Sequence, residues 1–247
     1  MSITNSGKYT PHQQASRHPQ QIHMNSTTPK DNHSNQLRIL QYKLAKGRET
    51  TDSVLSDKQV KPFTLLLLQE QNWSKPQKSS LYHHLWTLLE PTAIAESQPR
   101  TAIYINNRLL SPTAFTQVNI PIPDVTAISI MPQDPTDKPT LLINVYKPGD
   151  KRTIQPLRQH LNRHIHTSDY SSIIMLRDFN LHHPMWNPQT YLTHDIEADD
   201  LIDMASDLNL GLLLPPGTIT HPSDNPSGGT TIDLVWGNDK AEDILLK

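Results

Sequence analysis

The sequence predicts one α/β domain made of two packed β-sheets with helices outside them, and three observations predict it. The run Phe63–Gln69 is continuously apolar up to its last residue, which suits a strand buried on both faces. Leu157, Leu161 and Ile165 recur every four positions, so Ile154–Ile165 reads as a helix with one buried stripe. Strands alternate with helices at both ends of the chain and cluster in its middle, a pattern for two sheets rather than one.

Taken in order, Leu37–Leu44 reads as the first strand and Thr50–Val60 as a helix or helical connection. Phe63–Gln69 is the buried strand, and Ser80–Leu89 is a short helix or an extended piece. Thr101–Ile105, Val125–Met131 and Thr140–Tyr146 read as strands separated by turns marked by Pro or Asn. The helix Ile154–Ile165 precedes the strand Ser172–Leu176. A second helix, Ile196–Leu208, ends in a turn at Asn209–Gly211, and Thr230–Trp236 is the last strand. Ser227-Gly-Gly-Thr-Thr231 precedes that strand rather than opening a helix and lacks the lysine of a phosphate loop, so it reads as a turn.

The 247 residues suit one such domain with a modest tail. Residues 1–35 are polar, with Ile3, Ile22 and Met24 isolated, and cannot offset their ordering entropy by burial. They are expected to be a disordered tail, and residues 36–247 the domain. There are no cysteines, which excludes disulfides and thiolate metal sites and is compatible with an intracellular setting. No apolar stretch approaches a membrane span, and the first residues carry no secretory core. The formal charge is −2, so any contact with nucleic acid has to come from local patches. Lys147, Lys151, Arg152, Arg158 and Arg163 stand against Asp150 alone. That segment is either a solvated face or a patch for DNA phosphates.

Polar groups recur where apolar strands finish. Glu70 follows Phe63–Gln69, Asn144 and Tyr146 close Leu141–Ile143, Asp178 and Asn180 follow Ser172–Leu176, and Asp233 lies inside Thr231–Val235. Residues two apart on a strand share a face, so Asn144 pairs with Tyr146, and Asp178 with Asn180. Converging carboxylates with an amide oxygen make a hard, oxygen-only site suited to Mg²⁺ or Mn²⁺, which polarises a phosphoryl oxygen. The bland reading stands beside it: a Glu after an apolar run is usually a plain strand terminus, and Asp-Phe-Asn is often a turn. Asp233 is harder to dismiss, because an unpaired buried carboxylate is costly. His160 and His164, four apart on a helix, lack a third ligand nearby and read as a solvated face.

Taken together, the motifs are more specific. Leu37-Arg-Ile-Leu-Gln-Tyr42, Leu65-Leu-Leu-Leu-Gln-Glu70, Ile143-Asn-Val-Tyr-Lys-Pro148, Asp178-Phe-Asn-Leu-His-His-Pro-Met-Trp186 and Thr230-Thr-Ile-Asp-Leu-Val235 occur in the order seen in the endonuclease/exonuclease/phosphatase family. The Asp178–Trp186 version resembles the endonuclease domain of fungal non-LTR retrotransposon reverse transcriptases. The resemblance covers about residues 37–247. It implies a four-layer α/β sandwich and a Mg²⁺- or Mn²⁺-dependent endonuclease acting on DNA, hence an intracellular, nuclear setting. Glu70 would hold the metal, Asp178 would position or activate water, and Asn180 would help hold the phosphate. Tyr146 would contact the scissile phosphate, and Asp233 would orient a histidine from a C-terminal Ser-Asp-His motif. Asn144, His182 and His183 are the further candidates for substrate contact. A phosphatase of the same superfamily, acting on inositol phosphates or lipids, is the alternative that the Asp178–Trp186 signature disfavours.

Three departures from the family pattern matter. No Ser-Asp-His follows Asp233, so the resemblance implies a missing last strand and weak or absent cleavage, with a non-catalytic nucleic-acid-binding remnant as the alternative. Lys43 stands where the family has Asn, and its ammonium is expected to pair with Glu70 and compete with the cation. Arg177 stands where the family has Gly before the Asp-x-Asn pair, adding bulk where backbone is expected to pack closely.

Overall fold

Strand alternation sorts the apolar side chains of this chain into three layers. The computed structural model describes residues 20–24, 37–93, 98–149, 153–223 and 228–246. Within them, the sheet strands in chain order are β1 (Gln20–Met24), β2 (Leu37–Lys43), β3 (Leu65–Gln69), β4 (Trp86–Leu89), β5 (Thr101–Asn106) and β6 (Phe115–Val118). They continue as β7 (Val125–Ile130), β8 (Thr140–Val145), β9 (Ser172–Asp178), β10 (Gly211–Leu212), β11 (Asp233–Gly237) and β12 (Leu245–Leu246). The helices are α1 (Arg48–Ser56), α2 (Ile154–His164), α3 (Ile196–Asp207) and α4 (Asp239–Ile244). One six-stranded sheet has the order β12-β1-β2-β3-β5-β4, and the other β10-β11-β9-β8-β7-β6.

The parallel neighbours β2–β3 and β8–β9 need crossovers, which α1 and α2 supply. Ile39, Leu65, Leu67, Ile103 and Ile105 from the first sheet meet Ile128, Leu142, Ile174, Leu176 and Val235 from the second. The residues between them on each strand face outward. On the first sheet Leu40, Leu66, Leu68 and Tyr104 pack with Leu55 of α1. On the second, Leu141, Ile143, Ile173 and Met175 pack with Leu157 and Leu161 of α2 and Leu201 and Met204 of α3. The result is the expected sandwich, α1 / sheet / sheet / α2 and α3. Leu65–Leu68 are all fully buried because both faces of β3 are covered. Trp86 and Trp186 are buried with their indole N–H donated to Leu55 O and Leu181 O, at 3.1 Å each.

Several expectations need correction. Gln20–Met24, inside the segment expected to be disordered, forms β1, because β2 would otherwise present a row of unpaired backbone groups. The rest of residues 1–35 lies outside the described residues. The expected missing strand leaves no gap at this edge, where β12 pairs with β1. The last strand of the second sheet starts at Asp233, not Thr230; Thr230 belongs to a small hairpin with His221–Pro222. Gly229 makes that hairpin possible: its φ is +133°, and a Cβ would come within 2.9 Å of Pro222 Cα. Phe115–Val118 and Asp239–Ile244 are elements that periodicity does not reveal. Ser80–Leu89 resolves as extended, with strands at Ser79–Ser80 and Trp86–Leu89. No described helix is long and apolar enough to cross a membrane.

Two cations of the basic segment are paired with acids of α3. Lys147 is buried and pairs with Glu197 at 3.2 Å. Arg158 of α2 holds Asp203 and Asp207 of α3 at 2.9 and 2.7 Å. Residues Asp150, Lys151 and Arg152 lie outside the described residues, as does the side chain of Arg177.

Candidate active site

The layer between the sheets turns polar at one end. The strand faces that carry Ile39, Leu67, Ile103, Ile128, Leu142, Ile174 and Val235 carry, further toward that end, Gln41 and Lys43, Gln69, Thr101, Thr126, Asn144 and Tyr146, Asp178, and Asp233. The registers Lys43↔Gln69↔Thr101, Thr126↔Asn144↔Leu176 and Asp178↔Asp233 hold these residues at a common level.

The deepest of them join the two sheets. Thr101 and Thr126 hydroxyls meet at 2.8 Å, Gln69 Nε2 donates to Val145 O at 2.7 Å, and Asn144 Nδ2 donates to Ala102 O at 3.2 Å. Gln69, Thr101 and Asn144 are completely buried. Asn144, expected among the substrate contacts, therefore lies in the floor of the site, with its Nδ2 on the first sheet. A buried amide of this kind costs about 1–3 kcal/mol if its partner is removed.

Above the floor lies a chain of charged contacts. Glu70 ends β3 in the left-handed region, with φ +47° and its N–H on Arg100 O. Its Oε1 accepts the Tyr146 hydroxyl at 2.8 Å. Burial, and then the bond to Glu70, push the Tyr146 phenol well above its ordinary range; the charges of Glu70 and Asp178 add to this and Arg100 opposes it. Tyr146 is thus a proton donor at any neutral pH. Two cations lie near its ring: Lys43 Nζ at 5.2 Å from the centroid and Arg100 Cζ at 5.8 Å. Lys43 Nζ lies 2.7 Å from Asp178 Oδ2, and Asp178 is 1% exposed. The expected partner of Lys43 was Glu70. The ammonium is instead on Asp178, because alternation points both residues into the same layer while Tyr146 holds Glu70.

Asp233 is half-buried and lies opposite Asp178 across the β9–β11 ladder, with its N–H on Thr220 Oγ1 at 3.0 Å. Asn180 does not share a strand face with Asp178, contrary to expectation, because β9 stops at Asp178 and Asn180 has φ +47°. It stays in the site through the turn: its N–H reaches Asp178 Oδ1 at 3.2 Å and its Nδ2 reaches Lys147 O at 2.8 Å. Glu70, Tyr146, Asp178, Asn180 and Asp233 are therefore brought to one end of the sandwich.

His182 and His183 are not joined to that chain by any contact among the described residues. The His182 ring packs on Tyr191, and the His182 backbone N–H donates to Asp195 Oδ2 at 2.7 Å. His183 packs edge-on against His194, with Asp199 Oδ1 3.8 Å from the one ring and 3.0 Å from the other. His183, His194 and Asp199 are the group of described residues whose ligand atoms all lie within 4.8 Å of one another. His183 Nδ1 accepts the Met185 N–H at 3.0 Å, which puts the neutral ring's proton on Nε2. This arrangement suits hydrogen bonds to Asp199 better than a metal. The carboxylates of the cleft form no such three-ligand group, and the one on Asp178 is committed to Lys43. As they stand, the cleft residues do not fit a divalent cation: among the described residues no three acidic or histidine ligand atoms converge there, and the Lys43 ammonium already takes Asp178 Oδ2.

Sequence reasoning located the acids but missed Arg100 and the Gln69 bond. A lone Arg before a strand and a Gln within one carry no signal without the sheet pairing.

The family described as endonuclease-reverse transcriptase matches residues 140–245. No curated protein matches the chain in sequence. Among solved structures, the endonuclease domain of TRAS1, a telomere-specific non-LTR retrotransposon, is similar at TM-score 0.60 and 14% identity, covering 83% of this chain and 86% of that one. An AP endonuclease from Archaeoglobus fulgidus is similar at TM-score 0.55 and 12% identity, covering 83% and 88%. The catalytic domain of Xenopus laevis APE2 is similar at TM-score 0.51 and 13% identity, covering 83% of each chain.

Proposed function

We propose that this chain, which has the fold of the endonuclease/exonuclease/phosphatase family, is a DNA-binding domain of retrotransposon-endonuclease descent whose phosphodiester cleavage is weak or absent. The fold and the endonuclease-reverse transcriptase match support the descent. The observation that carries the loss of activity is the 2.7 Å contact between Lys43 Nζ and Asp178 Oδ2.

Asp178 would be the group to orient or deprotonate a water. Asp178 Oδ2 already holds the Lys43 ammonium at 2.7 Å, so that oxygen is not open to orient a water. Glu70 is likewise engaged by the Tyr146 hydroxyl. Asn180 keeps its amide oxygen for a water or phosphate, since its Nδ2 is already used on Lys147 O. Positioning therefore survives while the chemistry is blocked, and binding of a phosphate backbone outlasts cutting.

Plasmid nicking with Mg²⁺ or Mn²⁺ tests this reading. The expected result is nicking at the background rate, unchanged by Glu70→Ala. Efficient nicking that Glu70→Ala abolishes would overturn it.

A further inference from the structure

We infer that Arg100 is the anion-binding residue of this cleft, and that its guanidinium takes a phosphodiester of a DNA strand laid across the polar end of the two sheets. The inference rests on the reading of the domain as a DNA binder.

Arg100 is held at the cleft from three directions. Its carbonyl accepts the Glu70 N–H at 2.9 Å, which ties its backbone to the residue that ends β3. Its guanidinium lies 5.8 Å from the centre of the Tyr146 ring. Asp124, itself 6% exposed, stands 3.6 Å from its Nε and accepts the Tyr146 N–H through its carbonyl at 2.9 Å. Glu70, Tyr146, Asp124 and Arg100 are therefore one connected group.

What that group does not do is use the guanidinium. The contact to Asp124 is longer than a hydrogen bond, and among the described residues neither Nη donates to a partner. The Arg100 side chain is 22% exposed, so its outer fork reaches solvent. Three other cations of the chain are already paired. Lys43 is on Asp178, Lys147 is on Glu197, and Arg158 has two carboxylates at 2.7 and 2.9 Å. A planar fork braced by an acid and an aromatic ring, with its outer N–H groups open, matches two phosphate oxygens in one plane. It adds no base contact, so the binding it supports is independent of sequence.

The test is fluorescence anisotropy of the full chain with a labelled DNA duplex in EDTA, titrated across a range of KCl. Wild-type affinity is expected to fall linearly on a log–log plot against salt, and Arg100→Ala to reduce that slope by about 1. Arg100→Lys keeps the charge and loses the fork, so it retains most of the slope while binding more weakly. Lys240→Ala removes the same charge beyond the far end of β11 and is expected to leave the slope unchanged. If Arg100→Ala fails to fold, judged by its urea midpoint, the Arg100→Lys and Arg100→Gln pair gives the same comparison. DNA binding by the wild type with an unaltered slope and affinity in the Arg100 variants overturns the inference alone. No salt-dependent binding by the wild type overturns the DNA reading and the inference with it.

Discussion

Replacing Lys43 by Met keeps the aliphatic stem and removes the ammonium from Asp178. Two unit charges 2.7 Å apart attract by about 6 kcal/mol at an effective dielectric near 20, before desolvation is subtracted. Desolvation of a carboxylate that is 1% exposed offsets most of that, so the net pair is worth far less than the bare attraction. Removing one partner is different, because it strands the other. Lys43→Met leaves the Asp178 carboxyl, 1% exposed, without its partner and is expected to destabilise the fold by about 3 kcal/mol. That is the low end of the range for a broken buried pair, since Lys43 is 16% exposed and water can follow it in. For a chain of this size the loss corresponds to a fall in Tm of about 6–12 °C. Asp178→Asn leaves a lysine that can swing toward solvent and is expected to cost about 1–2 kcal/mol. The double variant should cost less than the sum, with a coupling of about 2 kcal/mol. Urea unfolding with linear extrapolation measures all four corners of the cycle. Additivity to within about 0.5 kcal/mol would refute the ion pair and the argument built on it.

The remaining expectations concern the layers around the site. Burial, with a smaller push from Glu90, raises the Tyr104 phenol well above its ordinary 10.0. A raised folded value means that this contribution to stability is fully present below about pH 10 and is lost as pH rises beyond it. Tyr104→Phe should therefore flatten the alkaline fall in Tm, with Tyr146 supplying the part that persists; an identical fall in both proteins would contradict the burial of the phenol. Arg158→Ala should lower the urea midpoint in dilute buffer and leave it nearly unchanged in 1 M salt, because its bonds to Asp203 and Asp207 are exposed to screening; a loss independent of salt would point to packing instead. Trp86→Phe should cost about 2 kcal/mol by leaving Leu55 O without its 3.1 Å donor and opening a gap beneath α1, again read from urea unfolding; a change under about 0.5 kcal/mol would sink that role.

The two sheets were legible because burial on both faces leaves a mark that no soluble loop imitates. Leu65–Leu68, with four apolar residues in a row, is the clearest case. The acids were legible as a set because Glu70 and Asp178 close apolar strands and Asp233 opens one. The partner of Lys43 was not. It depends on which residues face one another across the layer between β2 of one sheet and β9 of the other, and one-dimensional spacing does not record that. Asn180 was misassigned for a related reason: extending the strand two residues past Asp178 keeps a face that the left-handed backbone at Asn180 abolishes. Asn144 shows the same limit in depth, since a strand-end position does not reveal whether the side chain lines a cleft or lies beneath it. β1 was illegible because Gln20–Met24 has the composition of a tail. Its structure comes from the open edge of β2 and not from its own side chains.

The proposed loss of cleavage depends most on Lys43 holding Asp178, and substitution at Lys43 tests it most directly. Wild type and Lys43→Asn are compared by calorimetric titration with Mn²⁺ and by plasmid nicking in the same buffer. The wild type is expected to bind the ion no better than Glu70→Ala does, and Lys43→Asn to gain binding that a further Glu70→Ala removes, with any nicking appearing alongside it. Equal and Glu70-dependent Mn²⁺ binding by the wild type and Lys43→Asn would contradict it.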